Sequence, residues 1–258
     1  MVKHIQNAVS IYGLFFNMSM KTETRISKYL ARAGLASRRD AEKLLISGRV
    51  SINGIATKNS WECMKKGDLI ELDGVKVTAK LRDQLFIFNK PRRCLSTSRD
   101  ERGRKTIFDL IQTQHDHLMI IGRLDYDSEG LILLTNNGNL KRHLELPKNG
   151  FRRFYRVKIN SSLDESLLKD IQQGLTIDGI KYRPMKIEVK SEMSSGVWLE
   201  ICLKEGKNRE IRRIFSYYNR EVTRLIRVGF GPFSLQGLAV GKLKKISLAN
   251  YEQLGYFT

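Results

Sequence analysis

The sequence of 258 residues predicts an α+β protein, in which a small helical module precedes a larger domain built on a mixed or antiparallel sheet. Helical spacing of apolar residues and two tight-turn dipeptides mark the first module. The rest of the chain contains short apolar runs typical of strands, interrupted by two helical patterns. Runs of strands with isolated helices favour an α+β arrangement over repeated β-α-β units.

The composition indicates a polyanionic partner. Lys and Arg number 46 against 27 Asp and Glu, which gives a formal net charge of +19. An excess of this size favours nucleic acid through phosphate neutralisation and counterion release. An anionic membrane is disfavoured, because no apolar run approaches the length of a spanning helix. The three cysteines, Cys63, Cys94 and Cys202, form no CxxC or Cys/His cluster, which argues against a zinc site and favours a reducing compartment such as the cytoplasm.

Two helices are predicted at the start of the first module. Residues 24–34 place four apolar side chains on one helical face: Ile26, Tyr29, Leu30 and Ala33. A second helix begins after Ser37, has Asp40 as its capping acid and ends before Gly48.

Basic residues are concentrated on this helical pair. Residues 25–49 contain seven basic and two acidic side chains. Two of the arginines stand in the first turn of the second helix, where the helix dipole disfavours cations, so an outside partner explains them better. We therefore expect RNA to contact Arg25, Lys28, Arg38, Arg39 and Arg49.

Short strands are predicted to complete the first module. Asn53-Gly54 and Asp73-Gly74 each stand between short apolar runs, which is typical of a β-hairpin. The module spans residues 24–78, after an N-terminal extension (1–23) and before a linker (79–84). It resembles the S4-type RNA-binding domain in the segments Ser37-Arg38-Arg39-Asp40-Ala41-Glu42, Gly48-Arg49-Val50 and Asn53-Gly54. The resemblance implies RNA binding.

The larger domain, residues 85–258, contains six predicted strands: 85–88, 118–121, 131–135, 154–159, 185–189 and 197–203. One helix is predicted to begin at Ser162, with Glu165 as its capping partner, and to end before Gly174. A second covers residues 208–218 and turns Ile211, Ile214 and Phe215 inward.

Three carboxylates alternate in a glycine-bounded loop between two of these strands, Gly122-Arg123-Leu124-Asp125-Tyr126-Asp127-Ser128-Glu129-Gly130. A calcium loop is rejected, because its twelfth position would be Asn136 and its flanks are apolar strands. A nuclease that holds magnesium on these carboxylates stays open, although no companion acidic cluster exists. For Asp127 and Glu129 alone, pairing with basic residues is at least as good an explanation.

This loop, with its continuation Leu131-Ile132-Leu133-Leu134-Thr135-Asn136-Asn137-Gly138, closely resembles the active-site motif of RsuA/RluB-type pseudouridine synthases. An earlier segment, Asn89-Lys90-Pro91 through Leu95-Ser96-Thr97 with Gly103-Arg104 and Thr106, resembles the family's preceding motif. Glu205-Gly206-Lys207-Asn208-Arg209-Glu210-Ile211-Arg212-Arg213 resembles its late motif. With the S4-type module, the resemblance covers residues 24–245 and implies a catalytic domain of pseudouridine synthase type.

By position, the resemblance implies that the catalytic aspartate is Asp125, the active-site tyrosine Tyr155 and the partnering basic residue Arg212. Two departures are present: Leu146-Pro147 stands where the family often has histidine-proline, and Arg153 replaces a usual lysine. Arg123 ranks second to Arg212 as a partner for Asp125. We expect RNA contacts from Arg123, Lys207, Arg209 and Arg213, because residues 204–227 hold eight basic and three acidic side chains interleaved with aromatics.

These residue types suit the isomerisation of uridine. Breaking the C1′–N1 bond builds positive charge on the sugar, which an ionised carboxylate can stabilise or trap. Asp125 can attack C1′ or assist loss of the 2′ proton by way of a glycal; both routes stay open. A guanidinium beside it favours the ionised form, and Arg212 can hold the carboxylate by bidentate hydrogen bonding. Tyr155 offers a ring against which the detached uracil can rest.

The sequence therefore predicts an enzyme that converts uridine to pseudouridine in ribosomal RNA, and it favours RNA of the large subunit over that of the small subunit. We expect the partner to be ribosomal RNA or a pre-ribosomal particle, and the protein to be a monomer without membrane contact. The reaction is a redox-neutral isomerisation, so neither cofactor nor metal is expected. The alternative is a non-catalytic, RNA-binding ribosome assembly factor.

Overall fold

The computed structural model describes residues 24–78, 83–111 and 118–248. The chain separates into two compact units, which divide between Arg82 and Asp83. The predicted extension over residues 1–23 lies outside the described residues, as do residues 79–82 of the predicted linker. Among the helices in the described ranges, none is long and apolar enough to cross a bilayer.

The first unit contains a helical pair and short strands. Its elements in chain order are β1 (Thr24–Arg25), α1 (Ile26–Arg32), α2 (Arg38–Ile46), β2 (Val50–Ile52), β3 (Ile55–Thr57), β4 (Cys63–Met64), β5 (Ile70–Leu72) and β6 (Val75–Lys76). The strands β3, β2, β5 and β6 form one sheet in that order, and β1 pairs with β4. Both predicted hairpins are confirmed.

Helices α1 and α2 pack their apolar faces into a core of their own. Ile26 and Leu30 are fully buried, and Tyr29 and Ala33 pack against them. Helix α1 begins two residues later than predicted, because Thr24–Arg25 pairs with β4. Helix α2 has Ser37 as its N-cap, whose Oγ accepts a hydrogen bond from Asp40 N at 3.2 Å.

The second unit is a large mixed sheet with three α-helices among its described residues. Its elements are β7 (Leu85–Lys90), β8 (Met119–Ile121), β9 (Glu129–Thr135), α3 (Gly138–Glu145), β10 (Arg153–Ile159), α4 (Glu165–Gln173), β11 (Leu175–Ile177), β12 (Ile180–Tyr182), β13 (Lys186–Met193), β14 (Gly196–Leu203), α5 (Glu210–Tyr217), β15 (Val222–Phe230), β16 (Phe233–Ser234) and β17 (Leu243–Ile246). This architecture, with few helices beside a mixed sheet, confirms the predicted α+β class.

The sheet joins distant parts of the chain. Nine of the described strands form it, in the order β13-β14-β10-β15-β9-β7-β17, with β16 beside β15 and β8 beside β9. The pair β9–β15 is parallel, and the other pairings in the sheet are antiparallel. Strand β9 follows the loop with the three carboxylates, so this parallel pairing fixes where that loop lies.

Two helix predictions differ from the structure in detail. Helix α4 begins at Glu165 rather than at Ser162, with Asp164 as its N-cap. The Asp164 carboxylate accepts a hydrogen bond from Arg220 Nη2 at 3.0 Å, and Leu163 packs against the core, which holds the preceding residues outside the helix. Helix α5 begins at Glu210, because Arg209 has a left-handed backbone with φ of 50°. Helix α3 and the strands β11, β12, β15, β16 and β17 were not predicted.

Candidate active site

Three adjacent strands bring the predicted site residues to one place. On the parallel pair, Gly130 at the start of β9 lies opposite Arg227 of β15. On the antiparallel pair, Arg227 lies opposite Tyr155 of β10. A β-bulge at Val228 accompanies this pairing, since Phe154 pairs with Gly229 and Tyr155 with Arg227. Bulges of this kind often orient side chains beside active sites.

Gly130 allows the close approach of β9 and β15. Its φ is 104°, and a Cβ on this residue would lie 2.3 Å from the carbonyl oxygen of Arg227. A side chain at this position would therefore push the two strands apart, and the loop that contains Asp125 with them.

A buried lysine holds the backbone of this loop. Lys90, at the end of β7, is fully buried. Its Nζ donates to the carbonyl oxygens of Pro91 at 3.0 Å, Asp125 at 3.2 Å, Tyr126 at 3.4 Å and Ser128 at 2.8 Å. Desolvation lowers the pKa of Lys90 to about 8, against the opposing charges of Cys94, Asp125, Asp127 and Glu129.

Further hydrogen bonds hold the first half of the loop, residues 122–126. Gly122 N donates to the Glu145 carboxylate of α3 at 2.8 Å. Ser96 Oγ donates to Leu124 O at 2.8 Å and accepts from Leu124 N at 3.1 Å. The Arg93 backbone N–H donates to Tyr126 O at 2.8 Å. The loop is thus held by segments from three parts of the chain, which limits the freedom of the Asp125 carboxylate.

The loop forms one wall of a cavity of about 300 Å³. Other walls come from β10, β15 and the segment before α5. Its lining includes five basic side chains and three acidic ones: Arg123, Arg153, Lys207, Arg209 and Arg227, with Asp125, Glu145 and Glu210. The cavity also contains the ring of Tyr155, so the structure brings together Asp125 and Tyr155, as the sequence predicted.

The cation that lies next to Asp125 is Arg209. Its Nη1 lies 3.6 Å from Asp125 Oδ2, with both side chains partly exposed. The expected bidentate bond from Arg212 to Asp125 was wrong. Arg212 Nη1 donates to Val222 O at 2.7 Å, and its Nη2 donates to the backbone oxygen of Asp127 at 3.3 Å.

Arg212 is nevertheless close to the site. Desolvation lowers the pKa of Arg212, the neighbouring Arg209 adds to this effect, and the charges of Asp125 and Asp127 oppose it. Arg212 lies in the first turn of α5, which begins at Glu210, and from there its guanidinium reaches the backbone oxygen of Asp127. Arg212 therefore supports the loop backbone, whereas Arg209 faces the carboxylate.

The other two carboxylates of the loop have different surroundings. Glu129 is 7% exposed and accepts two hydrogen bonds from Arg224, at 2.9 Å and 3.0 Å. This ion pair gives Glu129 the structural role considered for it. Asp127 is exposed, and its backbone oxygen, rather than its carboxylate, accepts the hydrogen bond from Arg212.

A second carboxyl group is buried in the cavity wall. Glu210 is 3% exposed, and its Oε2 accepts a hydrogen bond from Lys207 N at 2.9 Å. Burial and, to a smaller extent, the adjacent Glu205 carboxyl raise the pKa of Glu210 to about 7, against the lowering effect of Lys207. The other oxygen, Glu210 Oε1, is buried and has no hydrogen-bond partner among the described residues, so the surroundings favour the protonated carboxyl group.

Metal ligands are not clustered in the described residues: no group of three or more His, Cys, Asp or Glu side chains there is arranged to hold a metal ion. All three cysteine thiols are free.

Comparisons with known proteins match both units. A family model described as RNA pseudouridylate synthase matches residues 84–217, and an S4 domain model matches residues 24–70. The chain belongs to the RNA pseudouridine synthase family. Its fold resembles a solved structure titled "Crystal structure of pseudouridylate synthase", with a TM-score of 0.62 and 24% identity, covering 89% of this chain and 99% of that one.

Relatives confirm the RsuA/RluB-type resemblance and the assignment as an RNA pseudouridine synthase. A Rickettsia felis protein named "Uncharacterized RNA pseudouridine synthase" is 41% identical over 223 residues, covering 86% of this chain and 96% of its own length. A Bacillus subtilis protein named "Ribosomal large subunit pseudouridine synthase B" is 32% identical over 225 residues, covering 86% and 92%. A Salmonella typhimurium protein of the same name is 34% identical over 237 residues, covering 89% and 81%.

The S4 domain of this pseudouridine synthase presents most of the predicted RNA-binding residues on its surface. Arg38 and Arg39 are exposed at the start of α2, and Lys28 is exposed on α1. The Arg25 guanidinium lies 4.1 Å from the ring centroid of Trp61, which is 66% exposed. Arg49 differs from the others, because it donates two hydrogen bonds to Asp73.

In the catalytic domain, the predicted RNA-binding residues fall into two groups. Arg123 and Arg209 line the cavity, and Arg213 is exposed on α5. Lys207 also lines the cavity, but its Nζ donates to Lys181 O at 2.5 Å and to Glu205 Oε1 at 2.8 Å. Lys207 therefore holds the segment before α5, with two of its three protons engaged within the protein.

Sequence reasoning missed Lys90, Arg153 and Arg227 as parts of the pseudouridine synthase site. Lys90 lies in a motif, but a lysine after an apolar strand gives no sign of complete burial. Arg153 stands out in the sequence only as a departure from the family pattern. Arg227 lies in a strand that was not predicted. A single arginine within the apolar run Leu225-Ile226-Arg227-Val228 is the signal in the sequence that could have indicated a buried cation.

Proposed function

We propose that this pseudouridine synthase isomerises uridines of large-subunit ribosomal RNA, in free RNA or in a pre-ribosomal particle, with Asp125 as the carboxylate that acts at C1′. The observation that carries the proposal is the placement of Asp125 in a basic cavity beside Tyr155 and Arg209. The two relatives named "Ribosomal large subunit pseudouridine synthase B" support the choice of RNA.

The cavity suits a nucleotide that has left its helix. A volume of about 300 Å³ can hold a single base and ribose, but not a stacked pair. The surplus of cations on its lining attracts the phosphates on either side of the target. Uridines in loops or bulges are therefore the expected substrates, because extruding them costs the least.

Each group of the site has a distinct proposed task. The Asp125 carboxylate either bonds to C1′ or assists removal of the 2′ proton, and Arg209 lies beside it as a positive counter-charge. Tyr155 supplies the surface on which the detached uracil turns before its C5 meets C1′. Lys90 keeps the loop backbone in place, so Asp125 does not need to reorganise during the reaction.

The test compares two neighbouring aspartates. Pseudouridines would be mapped in ribosomal RNA from cells that lack the protein and carry wild-type, Asp125→Asn or Asp127→Asn copies. We expect wild type and Asp127→Asn to restore the modification, and Asp125→Asn to bind RNA without restoring it. Restoration by Asp125→Asn would exclude the proposed role of this carboxylate, and an unchanged map in all strains would exclude large-subunit RNA as the substrate.

The nuclease alternative makes a different prediction. It requires strand cleavage that depends on magnesium and stops when a chelator is added. Incubation of purified protein with ribosomal RNA, with and without chelator, therefore separates the two activities. We expect intact RNA and pseudouridine formation in both samples.

A further inference from the structure

One buried cation in the cavity has no role in the function proposed so far. Arg227 is 3% exposed and lines the cavity beside Asp125 and Tyr155. In the described part of the site, the ion pairs join Asp125 with Arg209 and Glu129 with Arg224, and they leave Arg227 without an acidic partner. Burial of a cation without an acidic partner is costly, so an apolar residue would serve a purely structural role better.

The guanidinium is fixed in place but not satisfied. Its Nε donates to Leu131 O at 2.7 Å. Its Nη1 lies 3.9 Å from the position that a Cβ on Gly122 would take, so the group reaches the start of the Asp125 loop. Its Nη2 is buried and has no hydrogen-bond partner among the described residues. A fixed donor without an acceptor is expected where a ligand supplies the acceptor.

A second arginine reinforces the positive charge. The guanidinium carbons of Arg153 and Arg227 lie 5.0 Å and 5.5 Å from the ring centroid of Phe230. The ring's negative face partly offsets the repulsion between two cations. Arg153 Nη1 donates to Phe151 O at 3.0 Å and to Lys204 O at 3.4 Å, so it is already engaged by the protein. Of these two arginines, Arg227 is the one that has a buried donor without a partner among the described residues.

The position of Arg227 matches the part of the substrate that becomes negative. Because Arg227 and Tyr155 are opposite each other on neighbouring strands, both side chains lie on one face of the sheet. The proposed function places the uracil against Tyr155 and the ribose C1′ at Asp125. A uracil placed against Tyr155 then lies beside the strand that carries Arg227, and its carbonyl oxygens are acceptors that a guanidinium can bind.

We propose that Arg227 is a catalytic residue that binds a carbonyl oxygen of the detached uracil and stabilises its negative charge; this inference rests on the proposed function. When the C1′–N1 bond breaks, its electron pair goes to the base and is shared among N1, O2 and O4. An electron pair of C5 then forms the new bond to C1′, the C5 proton leaves and N1 takes up a proton. A preorganised donor at O2 or O4 is most effective during the anionic stage.

The test separates chemistry from binding. Single-turnover conversion of an RNA fragment containing the mapped uridine would be measured for wild type, Arg227→Gln and Arg227→Lys. Arg156→Gln is the control, because Arg156 is exposed on β10 and lies on the opposite face of the sheet from Tyr155. We expect Arg227→Gln to slow conversion by about 100-fold or more, while the Kd for RNA changes by less than about threefold. Arg227→Lys should recover part of the rate, and Arg156→Gln should match wild type.

A modified substrate excludes a merely structural effect. Fluorine at C5 stabilises the uracil anion, so loss of 5-fluorouridine from the same fragment should depend less on Arg227 than loss of uridine does. An equal deficit with both substrates, or a rate for Arg227→Gln within about threefold of wild type, would overturn the proposal. A higher Kd for Arg227→Gln, with the slope of log K against log salt reduced by about one, would instead indicate a phosphate contact and would also overturn the proposal. If wild type forms no pseudouridine while binding the RNA, the proposed function itself fails.

Discussion

The Nη1 atom of Arg209 lies 3.6 Å from Oδ2 of Asp125, whereas the guanidinium of Arg212 donates to two backbone carbonyls. The late motif therefore supplies two arginines with separate tasks. One faces the carboxylate, and the other ties helix α5 to the loop beside it.

Arg209→Gln should slow the chemical step. Loss of the adjacent positive charge removes an electrostatic interaction with a partly exposed carboxylate, so we expect a decrease of about tenfold in the single-turnover rate. Arg213→Gln is the comparison, because Arg213 is exposed on α5 and is expected to contact only phosphate. Its effect should appear in the Kd and its salt dependence. Equal losses of rate at saturating RNA for both variants would contradict this division.

Lys90→Met should destabilise the catalytic domain and abolish activity. The variant leaves the carbonyl oxygens of Asp125, Tyr126 and Ser128 without the Nζ donor they share. We expect a loss of about 2–4 kcal/mol in the free energy of unfolding. Calorimetry of the full chain measures it, with the exposed Lys186→Met as the control. An unchanged melting temperature for Lys90→Met would show that the loop does not depend on this lysine.

Glu210→Gln should change how stability depends on pH. The Glu210 pKa rises from 4.5 to about 7 in the folded protein, chiefly through burial. Between these values the folded chain holds a proton that the unfolded chain has released, so the free energy of unfolding falls as pH rises through this window. The glutamine side chain of the variant cannot ionise, so this decrease in the free energy of unfolding does not occur in the variant.

We therefore expect Glu210→Gln to gain stability relative to wild type between pH 5 and pH 8, by about 1–3 kcal/mol. Glutamine can still accept the bond from Lys207 N, which keeps the turn before α5 intact. Thermal unfolding across this pH range is the measurement. Glu192→Gln, at an exposed position, is the control for the exchange of glutamate for glutamine itself. A constant difference for Glu210→Gln would contradict the prediction.

Arg38→Glu with Arg39→Glu should weaken RNA binding while the catalytic domain stays folded. Both arginines are exposed at the start of α2, where the local helix dipole does not favour them. We expect at least a tenfold loss of affinity and a smaller salt slope. Lys65→Glu with Lys66→Glu changes the net charge equally at another exposed segment of the S4 domain. Similar losses for both pairs would indicate a general charge effect rather than a defined binding surface.

The sequence by itself determined the S4 helices, both hairpins, the six strands of the catalytic domain that it predicted and the loop that contains Asp125. These features depend on local periodicity, turn residues and motif order, which neighbouring residues encode. It also identified the family, because several segments match in the right order.

Only the tertiary structure decided which side chains meet. The pairing of β9 with β15 places Gly130 beside Arg227, and residues 90 and 125 meet through a buried ammonium group. Arg209, which precedes α5 and has a left-handed backbone, faces Asp125, whereas Arg212 in the first turn of the helix donates to backbone oxygens. Such contacts follow from strand order and side-chain burial, which depend on packing between distant segments and leave no periodic signal in the chain.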